Sequence, residues 1–179
     1  MSIITKTGDG GSTGLWSGER IDKDDPRVEC YGTIDELSSA LGVARHFCSS
    51  QPVIDEILAV QKDLFRVAAE LASPSTITAS PILPADEERL SAKIRLLESK
   101  LRIDGFVVPG MTAGSAALDL ARTIARRAER RLVRLARRDP VSRELRIYVN
   151  RLSDFLFMLA RQEEFEQGAL TYVKARTED

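Results

Sequence analysis

Apolar residues recur at three- and four-residue spacing in five stretches of the chain, the pattern of helices that each bury one face. Val28, Tyr31, Ile34, Leu37, Leu41 and Ala44 make the first stripe, behind Asp25-Pro26, which reads as an N-cap with proline at the first helical position. Ile54, Ile57, Leu58, Leu64, Phe65, Ala68 and Leu71 make the second, between Pro52 and Ser73-Pro74-Ser75. Leu90, Ile94, Leu97 and Leu101 follow an acidic first turn, Asp86-Glu87-Glu88, the sign that suits a helix start. Thr112 or Ser115 can cap a long fourth helix carrying Leu118, Ala121, Ile124, Ala125, Ala128, Leu132 and Leu135. Asp139-Pro140 repeats the cap-plus-proline device before Leu145, Tyr148, Leu152, Phe155, Leu156 and Leu159, and Gly168 closes that helix.

No stretch shows the strict alternation of a half-buried strand. The pattern therefore predicts an all-α fold, an antiparallel five-helix bundle in one domain. Residues 1–25 form a Gly-rich ordered loop, 26–168 the bundle, and 169–179 a tail, with Leu170 to Val173 extended or frayed.

Composition fits a globular chain: 43% hydrophobic and 30% charged residues allow a core and exclude a disordered polymer. No run approaches the roughly 20 apolar residues of a membrane span, and the first residues lack a secretory or transit pattern, so the expected compartment is the cytoplasm. Cys30 and Cys48 are too isolated for a disulfide framework or a zinc site, and His46 is the only histidine. With 26 basic against 27 acidic side chains, global charge favours neither nucleic acid nor an anionic membrane. Local charge differs, because Arg122 to Arg138 holds eight arginines and one acid, Glu129, which asks for an anionic partner.

Four constellations could carry chemistry. Thr5-Lys6-Thr7-Gly8-Asp9-Gly10-Gly11-Ser12-Thr13-Gly14 can turn successive amides toward one anion, although it is neither a P-loop nor a dinucleotide fingerprint, and a flexible lead-in has the same composition. Lys23 and Arg27 flank a helix start, the wrong sign for the dipole, so a bound phosphate or plain surface charge accounts for them. Arg122, Arg126, Glu129 and Arg130 share much of one helical face, either an ion-pair ladder or a phosphate site held by planar guanidinium forks. Asn150 and Asp154 share a face among apolar neighbours, a buried polar position or ordinary patterning. Phe106, before the arginine helix, reads on its own as core.

Taken in order, these pieces resemble the propanediol-utilisation-type ATP:cob(I)alamin adenosyltransferases. The resemblance rests on Thr5 to Thr13 with Leu15, on Tyr31-Gly32-Thr33-Ile34-Asp35-Glu36-Leu37, and on Phe106-Val107-Val108-Pro109-Gly110. Ala121-Arg122-Thr123 with Arg126 to Arg131, and Asn150-Arg151-Leu152-Ser153-Asp154, complete it. It implies a homotrimer that binds ATP, Mg²⁺ and a corrinoid where subunits meet, and moves the adenosyl group of ATP onto cobalt. Thr5, Lys6, Gly8, Gly10, Gly11 and Thr13 would wrap the triphosphate, Lys23 and Arg27 would add charge, and Arg126, Glu129, Arg130 and Asn150 would complete the nucleotide site. No side-chain set for the metal is implied, and the phosphates would hold it.

Arg122 would pair with Asp35 across the subunit boundary, and Phe106 would lie beneath the corrin ring. The implied partners are a flavin-type reductase and a cobalamin-dependent mutase as product acceptor. This chain departs from the family pattern at Met111, where a glycine is frequent, and at Asp119, where a histidine is common. An ATP-dependent adenosylcobalamin carrier and a noncatalytic helical module docking an acidic partner are the alternative readings.

Overall fold

The computed structural model describes residue 4, residues 6–74 and residues 78–173. Its helices are α1 (Pro26–Phe47), α2 (Gln51–Leu71), α3 (Pro84–Leu101), α4 (Ala113–Leu135) and α5 (Arg143–Glu166). Each apolar stripe lies on one of them, and their inner faces merge into a single core from Cys30 to Ala160. Burying each Leu or Ile of that core is worth about 1.5–3 kcal/mol, which is why the stripes, rather than helix propensity, hold the bundle.

Local chemistry sets the helix ends. Asp25 caps α1, accepting from the Arg27 amide at 2.7 Å, with Pro26 in the first turn. Thr112 and Ser115 cap α4 reciprocally, each hydroxyl accepting from the other's amide at 3.0 Å. The start of α5 differs from the sequence expectation. Ser142 is its cap, accepting from the Leu145 amide at 3.2 Å, whereas the Asp139 amide donates back to Leu135 at 3.0 Å and so finishes α4.

Consecutive helices run antiparallel. The start of α4 meets the end of α1, and Arg131 near the end of α4 pairs with Glu29 near the start of α1. On the other side α3 and α5 are parallel neighbours, as Glu87–Arg151 and Lys100–Glu166 show. The order around the bundle is α2, α1, α4, α5, α3, closed by ion pairs from α2 to α3 such as Glu56–Lys93. Asp63 of α2 ties three helices together: it accepts from Tyr148 at 2.9 Å and Arg89 at 2.7 Å and pairs with Arg66 at 3.1 Å. Burial pushes the Tyr148 phenol well up, so it stays a donor to that carboxylate.

One expectation needs correcting. The chain before α1 contains an antiparallel hairpin, β1 (Ser12–Gly14) paired with β2 (Arg20–Asp22), with Thr13 opposite Ile21. Three residues per strand are too few to display alternation. Gly18, at φ +91°, makes the turn between them. The tail is extended where described: Tyr172 bridges Val107, Val108 donates to Thr171 at 2.9 Å and Val173 to Phe106 at 2.7 Å.

Candidate functional site

The glycine turn packs at the end of the bundle where α1 begins. Lys6 and Gly11 adopt positive φ, 58° and 85°, which curls the backbone between them through contacts from Asp9 to Lys6 and from Gly11 to Gly8. Successive left- and right-handed residues let amides converge on an anion; here the two positive-φ residues stand five positions apart, and the Asp9 and Gly11 amides donate within the turn. The Lys23 amide donates to Gly11 at 2.9 Å, and its ammonium lies so close over Gly8 that a Cβ there would be 3.2 Å from Nζ. Arg20 donates to the Thr7 carbonyl at 2.7 Å and to Ser12 at 2.5 Å. Thr13 hydrogen-bonds Tyr31 of α1, whose phenol is pushed up by burial against that bond's lowering effect. Gly10 has open space around it. Thr5 lies outside the described residues.

Arg27 turns inward. It is 3% exposed, donates to the Leu71 carbonyl at 2.9 Å and lies 3.4 Å from Asp139. Within the protomer its charge is already engaged, which separates it from Lys23.

Asp35 sits in an outer groove between α1 and α2, with Tyr31, Gly32, Ser38 and Phe65. Its neighbour Glu36 points the other way, to Arg127 of α4. The glycine turn and Asp35 therefore lie on the α1–α2 side of the protomer.

The arginine face lies on another side. Arg122 and Arg126 line a groove of about 300 Å³ with Ile94, Glu98, Asp154 and Phe157. Further along the same seam the Asn150 amide donates to Glu129 at 2.6 Å, a contact that fixes the Glu129 carboxylate between α4 and α5. Arg130 is exposed on the outward face, and Arg127 and Arg131 are taken up by Glu36 and Glu29 on the α1 seam. Thus Arg127 and Arg131 serve the α1 seam, Arg122 is held through Nε by Asp119 at 3.2 Å, and Arg126 lies exposed. Asp154 pairs with Arg151 at 3.2 Å.

Phe106 is at the opposite end of the bundle from the glycine turn, on the connection between α3 and α4, and 87% of it is exposed. An apolar ring so uncovered is no core residue; it is a surface on which a flat apolar partner could rest. The connection is nevertheless fixed on both flanks: its peptides pair with Thr171 and Val173 of the tail, and the Gly110 and Met111 amides donate to Asp119 and Glu164.

Among the described residues the thiols, the histidine and the acidic side chains offer no competing site. Burial pushes the Cys30 and Cys48 thiols up to about 12, so neither is a ready nucleophile. His46 is exposed on α1. Among the described residues no three His, Cys, Asp or Glu side chains gather as a metal site, and no helix is long and apolar enough to cross a membrane.

Residues 3–163 match the sequence model of the family Cobalamin adenosyltransferase. The chain belongs to the cobalamin adenosyltransferase family. A corrinoid adenosyltransferase of Citrobacter freundii is 45% identical over 166 residues, 90% of this chain and 94% of the relative. The corrinoid adenosyltransferase PduO of Salmonella typhimurium is 40% identical over 92% of this chain, which spans about half the length of that relative. Among solved structures, a variant PduO-type ATP:corrinoid adenosyltransferase from Lactobacillus reuteri, complexed with cobalamin and ATP, superposes with TM-score 0.91 at 32% identity over 99% of each chain. The five-helix architecture is thus that of PduO-type cobalamin adenosyltransferases.

Sequence reading alone missed the Thr13–Tyr31 contact, the strand-like hold of the tail on Val107, and the buried Asp119–Arg161–Glu164 cluster. The last left a signal, charged residues inside the apolar stripes of α4 and α5, and for the tail the extended alternative at Leu170 to Val173 was legible although its partner was not.

Proposed function

We infer that this chain transfers the 5′-deoxyadenosyl group of ATP to the cobalt of a Co(I) corrinoid, releasing triphosphate, at sites completed between the subunits of a homotrimer. One observation carries the inter-subunit part. The glycine turn lies at the start of α1 and Phe106 beyond its end, and α1 has 22 residues, so about 33 Å of helix separates them along the bundle. Cobalt must reach the 5′ carbon, which is one oxygen away from the α-phosphate. A phosphate-binding turn and a corrin-bearing ring that serve one ATP therefore belong to different protomers.

The two sides of the protomer support the same reading. One carries the glycine turn, Lys23 and the unpaired face of Asp35; another carries Arg122, Arg126, Glu129 and Asn150. Unlike surfaces meeting head to tail generate a ring when the rotation closes, and Arg122 meets the neighbour's Asp35 in such a ring.

In the reaction the Co(I) electron pair attacks the 5′ carbon in line, the carbon–oxygen bond breaks, and triphosphate leaves with that bonding pair. Negative charge grows on the leaving oxygen, so the charges of Lys6, Lys23 and Arg126 and the backbone of the glycine turn stabilise the transition state more than the ground state. Glu129, held by Asn150, orients the nucleotide. Mg²⁺ accompanying ATP would supply further charge neutralisation, held mainly by phosphate oxygens. No general base is needed, since the nucleophile is a metal centre with a filled orbital. Phe106 excludes water and the lower axial base from the corrin face, which eases reduction to Co(I). A flavin-type reductase supplies the electron, and a cobalamin-dependent mutase takes the product in the cytoplasm.

The test is an anaerobic assay with ATP and chemically reduced cobalamin. Loss of the Co(I) spectrum with release of one triphosphate per cobalt is expected. Binding of both substrates without either change would leave only a carrier.

A further inference from the structure

Asp119 occupies the buried stripe of α4 and is 7% exposed, a position where a carboxylate is costly unless it is paired. Both of its oxygens are used. Oδ2 accepts from the Gly110 amide at 3.1 Å and from Arg161 at 2.6 Å, while Oδ1 accepts from Nε of Arg122 at 3.2 Å. Arg161, itself 1% exposed, also pairs with Glu164, its Nε 2.8 Å from Oε2. Glu164 in turn accepts from the Met111 amide at 3.2 Å. Two consecutive peptides of the segment leading away from Phe106 are therefore tethered to two buried acids that share one guanidinium.

The charges make the arrangement selective. Asp119 and Glu164 together exceed what Arg161 neutralises, and Arg122 supplies the second positive charge. Arg122 commits Nε to Asp119, which leaves its terminal amino groups free of that contact, and its side chain lines the groove it shares with Arg126. Gly110 fits this scheme: its φ is +80° and an added Cβ would sit 3.3 Å from Ala116, so the peptide can donate to Asp119 only in the conformation that glycine allows.

We propose that Asp119 is a positioning residue for adenosyl transfer, one carboxylate oxygen fixing the Phe106 segment through Gly110 and the other fixing the Arg122 guanidinium. It couples the corrin-facing loop to the subunit-facing arginine, and it deepens the activity inferred above, on which it rests. A plain structural counter-ion for Arg161 would stabilise the fold equally well but would have no reason to share its effect with Phe106.

A double-mutant cycle separates the two roles. Cob(I)alamin consumption with ATP is measured for wild type, Asp119→Asn, Phe106→Ala, Arg122→Ala and the two double variants containing Asp119→Asn, beside melting curves and ATP titrations. Asp119→Asn lowers kcat about tenfold with ATP affinity within about threefold of wild type, and the drop is smaller in each of the other two backgrounds. An equal drop in all backgrounds, or a lowered melting temperature with unchanged kcat, overturns the proposal. If Asp119→Asn gives no cooperative melt, Glu164→Gln, which loosens Met111 instead, is put through the same cycle with Phe106→Ala, and equal drops again overturn it. Failure of the wild type to consume Co(I) would strike the activity itself and is seen before any variant is compared.

Discussion

Gly114→Ala sets packing against helix propensity in a way that gives opposite signs. Gly114 lies in the first turn of α4, and a Cβ there would be 2.9 Å from Cys48 Cα and 3.0 Å from both Cys48 Sγ and the Phe47 carbonyl oxygen. Comfortable carbon contacts begin near 3.5 Å, so α4 must move away from the end of α1 by roughly 0.5 Å or more. Two of those three atoms are backbone and cannot rotate aside. Overpacking of this kind costs about 1–3 kcal/mol, against at most about 1 kcal/mol gained from replacing glycine by alanine in a helix. The net loss, up to about 3 kcal/mol and centred near 1–2 kcal/mol, lowers Tm by about 2–8 °C at that centre for a chain of this size. Gly42→Ala in α1, whose Cβ would meet only the Gln61 amide nitrogen at 3.5 Å, serves as the control and should gain about 0.5 kcal/mol. Scanning calorimetry of the two variants beside wild type decides the matter. A Tm for Gly114→Ala equal to or above wild type would mean that the close approach of α4 to α1 is wrong.

Two further outcomes follow from the site and the α2–α3 contacts. Phe106→Ala should keep ATP binding, read by isothermal titration, while turnover with free cobalamin and a flavoprotein reductant falls by at least about tenfold; unchanged turnover would remove Phe106 from the corrin face. Asp86 is held down from the ordinary 3.8 to about 2, chiefly by hydrogen bonds from Arg66, one of them at 2.7 Å. A folded-state value below the unfolded one gives stability that is present above about pH 4 and is lost as pH falls toward about 2. After allowing for solvent screening of this partly exposed pair, it amounts to about 1 kcal/mol. Urea melts should therefore show Asp86→Asn less stable than wild type at neutral pH, with the gap narrowing steadily as pH falls from about 4 toward about 2; a gap independent of pH contradicts the pairing.

Long periodic stripes made the five helices readable, because each repeats its apolar spacing over several turns and few other folds satisfy it. The hairpin at Ser12–Gly14 and Arg20–Asp22 was not readable, since its strands are shorter than the alternation that announces a strand. Asp139 misled because a cap-plus-proline pair is ambiguous when the preceding helix can absorb the aspartate amide. At the site, the order of motifs pointed to Phe106, Arg126, Glu129 and Asn150, but spacing along the chain could not tell that Arg127 and Arg131 are spent on Glu36 and Glu29 while Arg126 remains available. Nor could it show Arg27 turned inward to Leu71 and Asp139. Such facts depend on which seam of α4 a side chain faces, and that is fixed only when α1 and α5 are both in place. The buried acids at Asp119 and Glu164 interrupted otherwise apolar faces, a mark visible in the sequence whose partners were not.

Subunit mixing tests the central claim most directly. Lys23→Ala and Arg126→Ala each remove one half of the composite site, and each alone should be nearly inactive. If trimers are formed from an equal mixture by co-expression, half of the glycine turns and half of the arginine faces are intact, so about one quarter of the junctions regain both in a head-to-tail ring. Activity near one quarter of wild type is predicted for the mixture. Activity no greater than the average of the two parents would place both halves of each site in one protomer and contradict the account.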